Sequence, residues 1–468
     1  MNFSKFFCVA VVLSIVSLFS AVPTQAALPT EAPPNAVEFS IPTSGNGVAR
    51  LAAYQNYIYF TEAANTKIGR IDINTGDIQE VDTADIVDPN GTPAYDIKVA
   101  SDGHIWYTSP DDNSICQLIW GGEYAITEYF MNTAASAPTF LHLDANGDVY
   151  ATEAAGNNIV FLDTSTGNQT EYPITTPAAT PEGLDIDPDG NIWFTEYDAS
   201  QVGRMTPGGV FTEFPLLPTM GPWDIVYNPS DGYLWFSEST GNAIGWIDSL
   251  TSAYYNLDTS DYTVIPFGGL IDSAGTIWGS DHGKNQIGSY SRTGTTTAYN
   301  ISSGTLGLNG MAEDTNGNIW IAGSDSGKLY RFDHTKPVID DVNLTDGQTL
   351  SGVVNIITQA TDNTNITKIE YYLDGDLKVT TDASVAQAMQ IAQLKVAEGT
   401  NTFGYEGDTN QISNGEHTLA LYAYDEAGNF VSASYKVNIN NEVLPETGSS
   451  DGRNAPISIQ NLLNVYSL

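Results

Sequence analysis

The stretch Gly183-Leu-Asp-Ile-Asp-Pro-Asp-Gly-Asn-Ile-Trp-Phe-Thr-Glu196 recurs along the chain in seven recognisable copies. Aligned on one aromatic position, successive copies are 47, 44, 43, 42, 43 and 42 residues apart, at Tyr59, Trp106, Tyr150, Trp193, Trp235, Trp278 and Trp320. Each copy alternates short apolar segments with a glycine-containing turn, which is typical of antiparallel strands joined by hairpins. A period in the low forties, with four strands per unit, predicts an all-β protein built on a seven-bladed β-propeller.

The last blade of this predicted propeller needs one more strand, because the seventh copy ends near Asp333 without a fourth apolar segment. A suitable segment lies near the other end of the chain, where Glu38-Phe-Ser-Ile-Pro42 has the pattern of Glu213-Phe-Pro-Leu216. We therefore predict that residues 36–43 complete the seventh blade and close a propeller that spans residues 36–334.

Two further segments flank the propeller. Residues 1–26 contain Lys5, an apolar run and small residues at the end, and this pattern predicts a secretory signal peptide. Residues 335–441 contain well-spaced apolar strands with Asp-Gly and Asn-Gly turns, which predict a C-terminal immunoglobulin-like β-sandwich. Within that region, Ala360-Thr-Asp-Asn363 and Tyr424-Asp-Glu-Ala-Gly-Asn429 resemble segments of bacterial immunoglobulin-like domains.

The chain is strongly acidic, since 56 Asp and Glu residues against 16 Lys and Arg residues give a formal net charge of −40. Such a charge repels nucleic acids, so we do not expect the protein to bind DNA or RNA. Cys116 is the one cysteine outside the signal segment, and an internal disulfide is therefore not expected. No later apolar stretch approaches the ~18 residues that a membrane-spanning helix needs. We expect a secreted monomer without an integral membrane span.

Several phrases within the repeats resemble a known family. Asn191-Ile-Trp-Phe-Thr-Glu196, Ile68-Gly-Arg-Ile-Asp72 and Thr170-Glu-Tyr-Pro173 are similar to the repeats of the virginiamycin B lyases, or streptogramin lyases. The resemblance extends over residues 36–333. It implies a seven-bladed propeller that opens cyclic depsipeptide antibiotics by magnesium-assisted elimination. It also implies that histidines at the start of inner strands, with glutamates nearby, carry out that chemistry.

The positions that correspond to the family's histidines carry other residues in this chain. They are Tyr95, Thr139, Glu182, Trp223, Phe267 and Asn309. Elimination needs a base that works near neutral pH, which imidazole provides and an ordinary carboxylate does not. Glu182 would replace the missing base only if burial raised its pKa. The resemblance therefore predicts the fold more firmly than it predicts lyase activity.

Five of the copies carry an acid three residues after the aromatic position: Glu62, Glu153, Glu196, Glu238 and Asp281. Equivalent positions of successive blades lie at equal radius, so we expect these acids and Glu182 to gather around one mouth of the central channel. There, Glu196, Glu238 and Asp281 would hold Mg²⁺ or Ca²⁺, or the acids would bind a cationic or polyhydroxylated ligand. The alternative is that each acid caps a turn or pairs within its own blade.

Two other residues are candidates for the same mouth. His282 follows Asp281 and is the histidine that we predict to act as a base or ligand together with Glu182. Trp223 is predicted to bind a ligand by stacking, with packing between neighbouring blades as the structural alternative.

Residues 442–468 are polar and predict a disordered tail. In this tail Leu444, Pro445, Glu446, Thr447 and Gly448 match the sortase signal that attaches proteins to the Gram-positive cell wall. The residues after the motif form only a modest apolar stretch, so attachment to the wall and coincidence are both open.

These predictions together favour a secreted or cell-surface binding module whose partner is an extracellular glycan, peptide or surface polymer. The alternative is a metal-assisted lyase that uses Glu182 and His282 to open cyclic depsipeptides or a related ester.

Overall fold

The computed structural model describes residues 36–43, 47–84, 92–122, 124–258, 266–291, 296–301, 304, 306–382 and 400–441. The predicted signal segment, residues 1–26, and the predicted tail with Leu444–Gly448 lie outside these ranges. Within them the chain forms β-strands almost throughout, with one 3₁₀ turn at Thr409–Gln411. No helix in the described ranges has the length and apolarity needed to cross a membrane.

Seven four-stranded antiparallel sheets follow one another along the described part of residues 36–332. The chain begins with β1 (Ala36–Ser40). The first blade contains β2 (Val48–Tyr54), β3 (Tyr57–Glu62), β4 (Lys67–Asp72) and β5 (Ile78–Asp82). The second blade contains β6 (Ile97–Val99), β7 (Ile105–Ser109), β8 (Ser114–Ile119) and β9 (Ala125–Phe130). The third blade contains β10 (Pro138–Leu143), β11 (Val149–Glu153), β12 (Asn158–Leu162) and β13 (Gln169–Pro173).

The remaining blades have the same composition. The fourth blade contains β14 (Pro181–Ile186), β15 (Ile192–Glu196), β16 (Gln201–Met205) and β17 (Phe211–Pro215). The fifth blade contains β18 (Pro222–Asn228), β19 (Tyr233–Glu238), β20 (Ala243–Asp248) and β21 (Tyr254–Asp258). The sixth blade contains β22 (Pro266–Ile271), β23 (Ile277–Asp281), β24 (Gln286–Tyr290) and β25 (Thr296–Asn300). The seventh contains β26 (Leu308–Glu313), β27 (Ile319–Gly323) and β28 (Lys328–Phe332), together with β1.

The ring closes through the first strand of the chain. β1 pairs antiparallel with β28, in a register that places Ala36 opposite Phe332 and Ser40 opposite Lys328. The first strand of each blade contacts the first strands of its two neighbours, and β2 contacts β26 to complete the circle. The predicted closing strand is therefore confirmed, and it removes the open edge that an unclosed ring would leave.

The repeated turn has a specific acceptor. In the fourth blade, Asp187 Oδ1 accepts hydrogen bonds from the backbone amides of Asp189 and Asn191, at 3.0 and 2.9 Å. Its other oxygen, Oδ2, accepts a hydrogen bond from Trp193 Nε1 at 2.9 Å. The same indole-to-carboxylate bond joins Trp278 to Asp272 at 2.8 Å and Trp320 to Asp314 at 2.7 Å. The repeated aspartate and tryptophan are therefore scaffold residues, because one carboxylate shapes the turn and satisfies the buried indole.

A second recurring contact joins neighbouring blades. The inner strands β2, β10, β14, β18, β22 and β26 each have a register shift near their start. In the first blade, Thr61 Oγ1 accepts a hydrogen bond from the Arg50 amide and donates one to the Tyr95 carbonyl of the next blade, both at 3.1 Å. Ser280 likewise accepts from Gly268 at 3.0 Å and donates to the Asn309 carbonyl at 2.6 Å. We call these contacts the hydroxyl bridges.

The second domain is a sandwich of two sheets. Its strands are β29 (Val338–Val342), β30 (Gln348–Leu350), β31 (Val353–Thr361), β32 (Ile366–Leu373), β33 (Asp376–Asp382), β34 (Thr400–Asp408), β35 (Gly415–Asp425) and β36 (Phe430–Ile439). One sheet has the order β29-β31-β34, and the other has the order β30-β36-β35-β32-β33. Ile356, Ile369, Phe403 and Leu421 are buried in the core between them. The prediction of an all-β propeller followed by an immunoglobulin-like sandwich is confirmed.

The hydroxyl bridges predict the effect of an isosteric change. Thr61 is completely buried, and Thr61→Val leaves the Arg50 amide and the Tyr95 carbonyl without this partner while the side-chain volume stays nearly the same. We expect the free energy of unfolding to fall by about 2 kcal/mol or more, measured by urea denaturation. Thr212→Val, at an exposed position of β17, is the matched control. Equal losses in the two variants would contradict a role for the bridge.

Candidate functional site

The inner strands surround a central cavity of about 520 Å³. It is lined mainly by the later residues of these strands, and its polar walls include Arg50, Lys98, His142, Asp185 and Glu313. These charged groups have partners: Lys98 Nζ lies 3.3 Å from Asp96, and His142 Nδ1 lies 3.1 Å from Asp185. The cavity wall is therefore polar, and Lys98 and His142 each lie beside an acid of the same wall.

Arg50 closes one side of this cavity. Its guanidinium extends from the first blade to the fifth, where Nη1 lies 3.0 Å from Asp224 Oδ2. The same guanidinium lies over the Phe140 ring of the third blade, 4.3 Å from the ring centroid. Burial by itself lowers the pKa of Arg50, but the charge of Asp224, together with smaller contributions from Tyr95 and Asp96, raises that pKa overall, so the group stays cationic. The ion pair and the stacked ring form a fixed cross-link through the channel.

The other side of this cross-link carries the residues at the family's histidine positions. We define the mouth as Tyr95, Thr139, Glu182, Trp223 and Asn309, all at or beside the start of inner strands. Tyr95 and Trp223 pack edge-on against Phe140, with their ring centroids 5.6 and 6.2 Å from the Phe140 centroid. Neither Tyr95 nor Trp223 lines the cavity. Hydroxyl bridges hold the carbonyls of Tyr95, Thr139, Trp223 and Asn309. The side chain of Phe267 lies outside what the structure describes.

Glu182 is the buried acid of the mouth, with 7% of its surface exposed. The Thr139 hydroxyl hydrogen bonds to its carboxylate, while its buried Oε2 atom has no donor among the described residues. Burial raises the pKa of Glu182 to about 7, and the nearby charge of Asp198 adds to this rise. The desolvation that a catalytic carboxylate requires is therefore present. Asn309 contributes a second buried acceptor, because its Oδ1 atom also has no donor among the described residues.

The five repeated acids are all buried. Glu62, Glu153, Glu196, Glu238 and Asp281 each have 0% of their surface exposed. Glu153 accepts hydrogen bonds from Ser136 and Asn158 of its own blade, at 2.9 and 2.8 Å. Burial is the main cause that raises the pKa of Glu62 and Glu196 to about 7. These acids are buried, which agrees with the alternative that each acid pairs within its own blade.

The remaining repeated acids also have partners within their own blade. Glu196 accepts a hydrogen bond from Gln201 at 3.0 Å, and Glu238 accepts one from the Tyr254 hydroxyl at 2.6 Å. Asp281 accepts bonds from the two backbone amides of Gly283 and Lys284, at 2.8 and 3.0 Å. These contacts agree with the alternative prediction, in which each acid pairs within its own blade. Each of these acids is the last residue of the second strand of its blade, and donors close by in the same blade bond to its side chain.

The predicted metal ligands are not brought together. In the described part of the chain, the acids close enough to share one ion are Asp333, Asp362 and Asp425, at the other domain's junction with the propeller. Glu196, Glu238 and Asp281 belong to three different blades and do not form such a group. A Mg²⁺ or Ca²⁺ site at the mouth stays a prediction, and each of its three proposed ligands accepts hydrogen bonds near its own strand.

His282 and Trp223 were the two other residues predicted to act at the mouth. The groups that interact with Glu182 are Thr139, Arg50 and Asp198, and His282 is not one of them. His282 is partly buried in the loop after β23, so the structure does not pair it with Glu182 as a catalytic unit. Trp223 packs edge-on against Tyr197 of the fourth blade, with ring centroids 5.5 Å apart, and against a core cluster of its neighbours. These contacts agree with packing between blades, and ligand binding by Trp223 stays a prediction.

Sequence reasoning missed Arg50, Phe140 and the bridging hydroxyls. Arg50 occupies the position that is Gly183 and Gly310 in other copies. A Cβ atom at Gly183 would approach the Trp223 carbonyl to 2.6 Å, which shows how closely neighbouring inner strands pack there. The arginine was visible in the sequence, but the same position holds Asp96, Phe140 and Asp224 in other blades, so it did not stand out as a special contact. The hydroxyls were visible too, but a threonine in a strand is also explained by β-propensity.

Comparison with known proteins assigns the chain to a family. The model of the virginiamycin B lyase family matches residues 30–278, more than half of the chain. This chain belongs to the virginiamycin B lyase family. A model of a bacterial Ig domain matches residues 337–420, which agrees with the sandwich that follows the propeller. A comparison with curated proteins finds no significant match.

Solved structures agree with the family assignment. A streptogramin B lyase is 27% identical, with a TM-score of 0.58 over 64% of this chain and 97% of that chain. Virginiamycin B lyase from Staphylococcus aureus is 25% identical, with a TM-score of 0.58 over 64% of this chain and 99% of that chain. The extracellular domain of a hybrid two component system from B. thetaiotaomicron shares the fold at 14% identity and a TM-score of 0.52, over 88% of this chain and 60% of that chain. This family member therefore combines the lyase propeller with mouth residues of its own.

The buried carboxyl of Glu182 predicts a pH-dependent effect on stability. Its pKa of about 7 in the folded protein exceeds the ~4.3 of an unfolded glutamate, so the folded state binds this proton more tightly. The contribution of Glu182 to stability therefore falls as pH rises from about 4.3 to about 7. Glu182→Gln resembles the protonated form at every pH. We expect the stability of this variant relative to wild type to grow by roughly 2 kcal/mol between about pH 5 and pH 8.5.

Urea denaturation at the two pH values measures this difference. Glu406→Gln, at an exposed position of β34, controls for the loss of one negative charge from an acidic protein. A stability difference between Glu182→Gln and wild type that does not change with pH would show that Glu182 is ionised in the same range in both states.

Proposed function

We propose that this protein is an extracellular binding protein whose propeller mouth takes a polyhydroxylated ligand, such as a glycan or another surface polymer. The observation that carries the proposal is the pair of buried acceptors at the mouth, Glu182 Oε2 and Asn309 Oδ1, which have no donors among the described residues. Trp223 lies beside Glu182 in the same ring of inner strands. Two acceptors and an aromatic ring suit a ligand that carries hydroxyl donors on an apolar ring.

The energetics favour a ligand that donates hydrogen bonds. A buried acceptor without a partner costs about 1–3 kcal/mol, and a ligand hydroxyl would remove that cost on binding. Arg50 is the nearby cation, but its guanidinium is paired with Asp224 at 3.0 Å and does not take the place of the ligand as a donor to these acceptors. A peptide would also bring donors through its amides, but it would lack the apolar ring face that Trp223 and Tyr197 are placed to contact.

Binding is favoured over the family's elimination chemistry for two reasons. The residues at the histidine positions are Tyr95, Thr139, Glu182, Trp223 and Asn309, with Phe267 at the sixth. The acids that were candidates for holding Mg²⁺ are buried within separate blades. An elimination needs both a base and stabilisation of the developing negative charge, and only the base has a candidate here.

The extracellular location belongs to the proposal. It is supported by the bacterial Ig domain that follows the propeller, by the predicted signal peptide at residues 1–26 and by the acidic composition. The motif at Leu444–Gly448 matches the sortase signal and stays a prediction for attachment to the cell wall. In this interpretation the sandwich serves as a spacer that holds the propeller away from the surface.

Binding is tested with the full chain on arrays of glycans, peptides and surface polymers. We expect a polyhydroxylated ligand to be retained, and we expect Trp223→Ala and Asn309→Ala to weaken its binding by about tenfold each, because each loses a direct contact. Trp120→Ala is the matched control, since Trp120 packs against Tyr59 and Tyr124 away from the mouth. Retention no greater than that of an equally acidic unrelated protein would refute the proposal, as would equal binding by all variants.

A retained lyase activity is the second candidate, and one observation favours it. Glu182 occupies a histidine position and has a pKa of about 7, so it is half ionised where a neutral-pH base must work. The streptogramin B and virginiamycin B lyases are the solved relatives with the highest identities given above. A carboxylate with that pKa could remove a proton beside an ester carbonyl if the substrate reached Oε2.

Mass spectrometry of a streptogramin B antibiotic, after incubation with the full chain and Mg²⁺, tests this activity. Elimination opens the ring without adding water, so the linear product keeps the mass of the cyclic antibiotic and is separated from it by chromatography. If Glu182 is the base, the linear product forms with wild type and disappears with Glu182→Gln, while Trp120→Ala retains activity. A ring that remains closed with wild type excludes the lyase candidate and leaves the binding proposal untouched.

A further inference from the structure

Three acids meet where the propeller joins the sandwich. Asp333 directly follows β28, Asp362 directly follows β31, and Asp425 ends β35. One carboxylate oxygen from each lies within 4.8 Å of the others. Asp333 and Asp425 each have only 2% of their surface exposed. We call this group the junction acids; it unites one propeller segment with two segments of the sandwich.

The junction acids have only neutral donors in the contacts that the structure describes. Asp425 accepts hydrogen bonds from the backbone amide and the side-chain amide of Asn429, at 2.8 and 2.7 Å. Asp333 Oδ1 accepts from the Thr335 amide at 3.0 Å, and its Oδ2 accepts from the Thr364 hydroxyl at 2.9 Å. Neutral donors orient the carboxylates, but they do not cancel the repulsion among three negative charges held this close together.

One carboxylate oxygen of this group lacks a hydrogen-bond donor. Asp362 uses Oδ2 to accept from the amide and the hydroxyl of Thr364, at 3.0 and 2.7 Å. Its other oxygen, Oδ1, is closed off from solvent and has no donor among the described residues. A closed-off, unpartnered carboxylate oxygen is costly unless a cation or a donor from outside the chain occupies the adjacent space.

We propose that the junction acids form a Ca²⁺ site that couples the propeller to the immunoglobulin-like domain. The ligand atoms are all oxygens, which hard divalent cations prefer. Ca²⁺ binds oxygens at about 2.3–2.6 Å, so ligands on opposite sides of the ion are ~4.6–5.2 Å apart. The three carboxylate oxygens of the junction acids lie within 4.8 Å of one another, so one Ca²⁺ ion could contact all three. Ca²⁺ also accepts irregular geometry from separate loops more readily than Mg²⁺ does.

The site would fix the relation between the two domains. Direct contacts at the junction already include the Asn429 side-chain amide, which donates to the Asp333 carbonyl at 3.1 Å, and an ion pair between Arg331 and Glu426 at 2.5 Å. A divalent ion bound by acids from both domains would strengthen this connection, because its binding free energy is available only when the domains are folded and docked. The site is independent of the mouth and of its ligand.

Calcium binding is tested on the full chain after EDTA treatment and desalting, with CaCl₂ titrated calorimetrically in about 150 mM NaCl to screen the general negative charge. We expect one site per chain, with weaker binding of MgCl₂. Asp362→Asn should raise the dissociation constant for Ca²⁺ by about tenfold or more, since it removes one charged ligand. Asp340→Asn is the matched control, because Asp340 is an exposed acid on nearby β29 and should leave Ca²⁺ binding unchanged.

Thermal unfolding separates loss of a ligand from a damaged fold. In EDTA, Asp362→Asn should unfold at the same temperature as wild type or a higher one, because it relieves repulsion among the junction acids. With Ca²⁺ added, the unfolding temperature of wild type should rise and that of Asp362→Asn should not. The proposal is overturned if wild type shows neither a binding heat nor a thermal shift with Ca²⁺, or if Asp362→Asn binds Ca²⁺ as tightly as wild type.

Discussion

The hydroxyl bridge between successive blades is the contact on which the rest of the propeller depends. In six of the seven blades the inner strand departs from regular pairing near its start, and this departure leaves amides and carbonyls that the blade's own sheet does not satisfy. A Thr or Ser hydroxyl from the second strand accepts from its own inner strand and donates to the next one, as Thr61 does between Arg50 and Tyr95. Because a hydroxyl both donates and accepts, it serves the two strands at once. The irregular backbone becomes rigid, and its side chains are held at the mouth.

This constraint allows the side chains at the mouth to differ from blade to blade while the fold is kept. The bridges contact backbone atoms, so the side chains of Tyr95, Thr139, Trp223 and Asn309 are free to vary. The neighbouring inner-strand position also differs between blades, with glycine in some and Asp96, Phe140 or Asp224 in others. Glycine at 183 and 310 avoids the next strand, whereas Arg50 at the same position extends across the channel to Asp224. The chain therefore retains the family's scaffold, replaces the histidines and places a fixed ion pair beneath the mouth.

Much of the fold could be predicted from sequence because its causes are local and repeated. Asp187 and Trp193 stand six residues apart in a pattern that recurs, and the closing strand at Glu38–Pro42 shares the pattern of its counterparts. The site was harder to predict. The position of Glu196 in the repeat was correct, but sequence does not show that its side chain turns into the blade towards Gln201. The junction acids come from segments about 30 and 60 residues apart, so only the docked domains reveal them. Glu182 was identified through its histidine position, and its pKa depends on burial that only the structure shows.

The mouth presents two buried acceptors, Glu182 Oε2 and Asn309 Oδ1, that no donor among the described residues satisfies. A high-resolution crystal structure of the full chain, grown with a hydroxyl-rich ligand retained on the arrays, tests it most directly. The account predicts ligand hydroxyls at about 2.7–2.8 Å from Glu182 Oε2 and Asn309 Oδ1, with a ligand ring against Trp223. It would be contradicted if both acceptors were paired with donors of the protein, or if the ligand bound elsewhere and left the mouth unchanged.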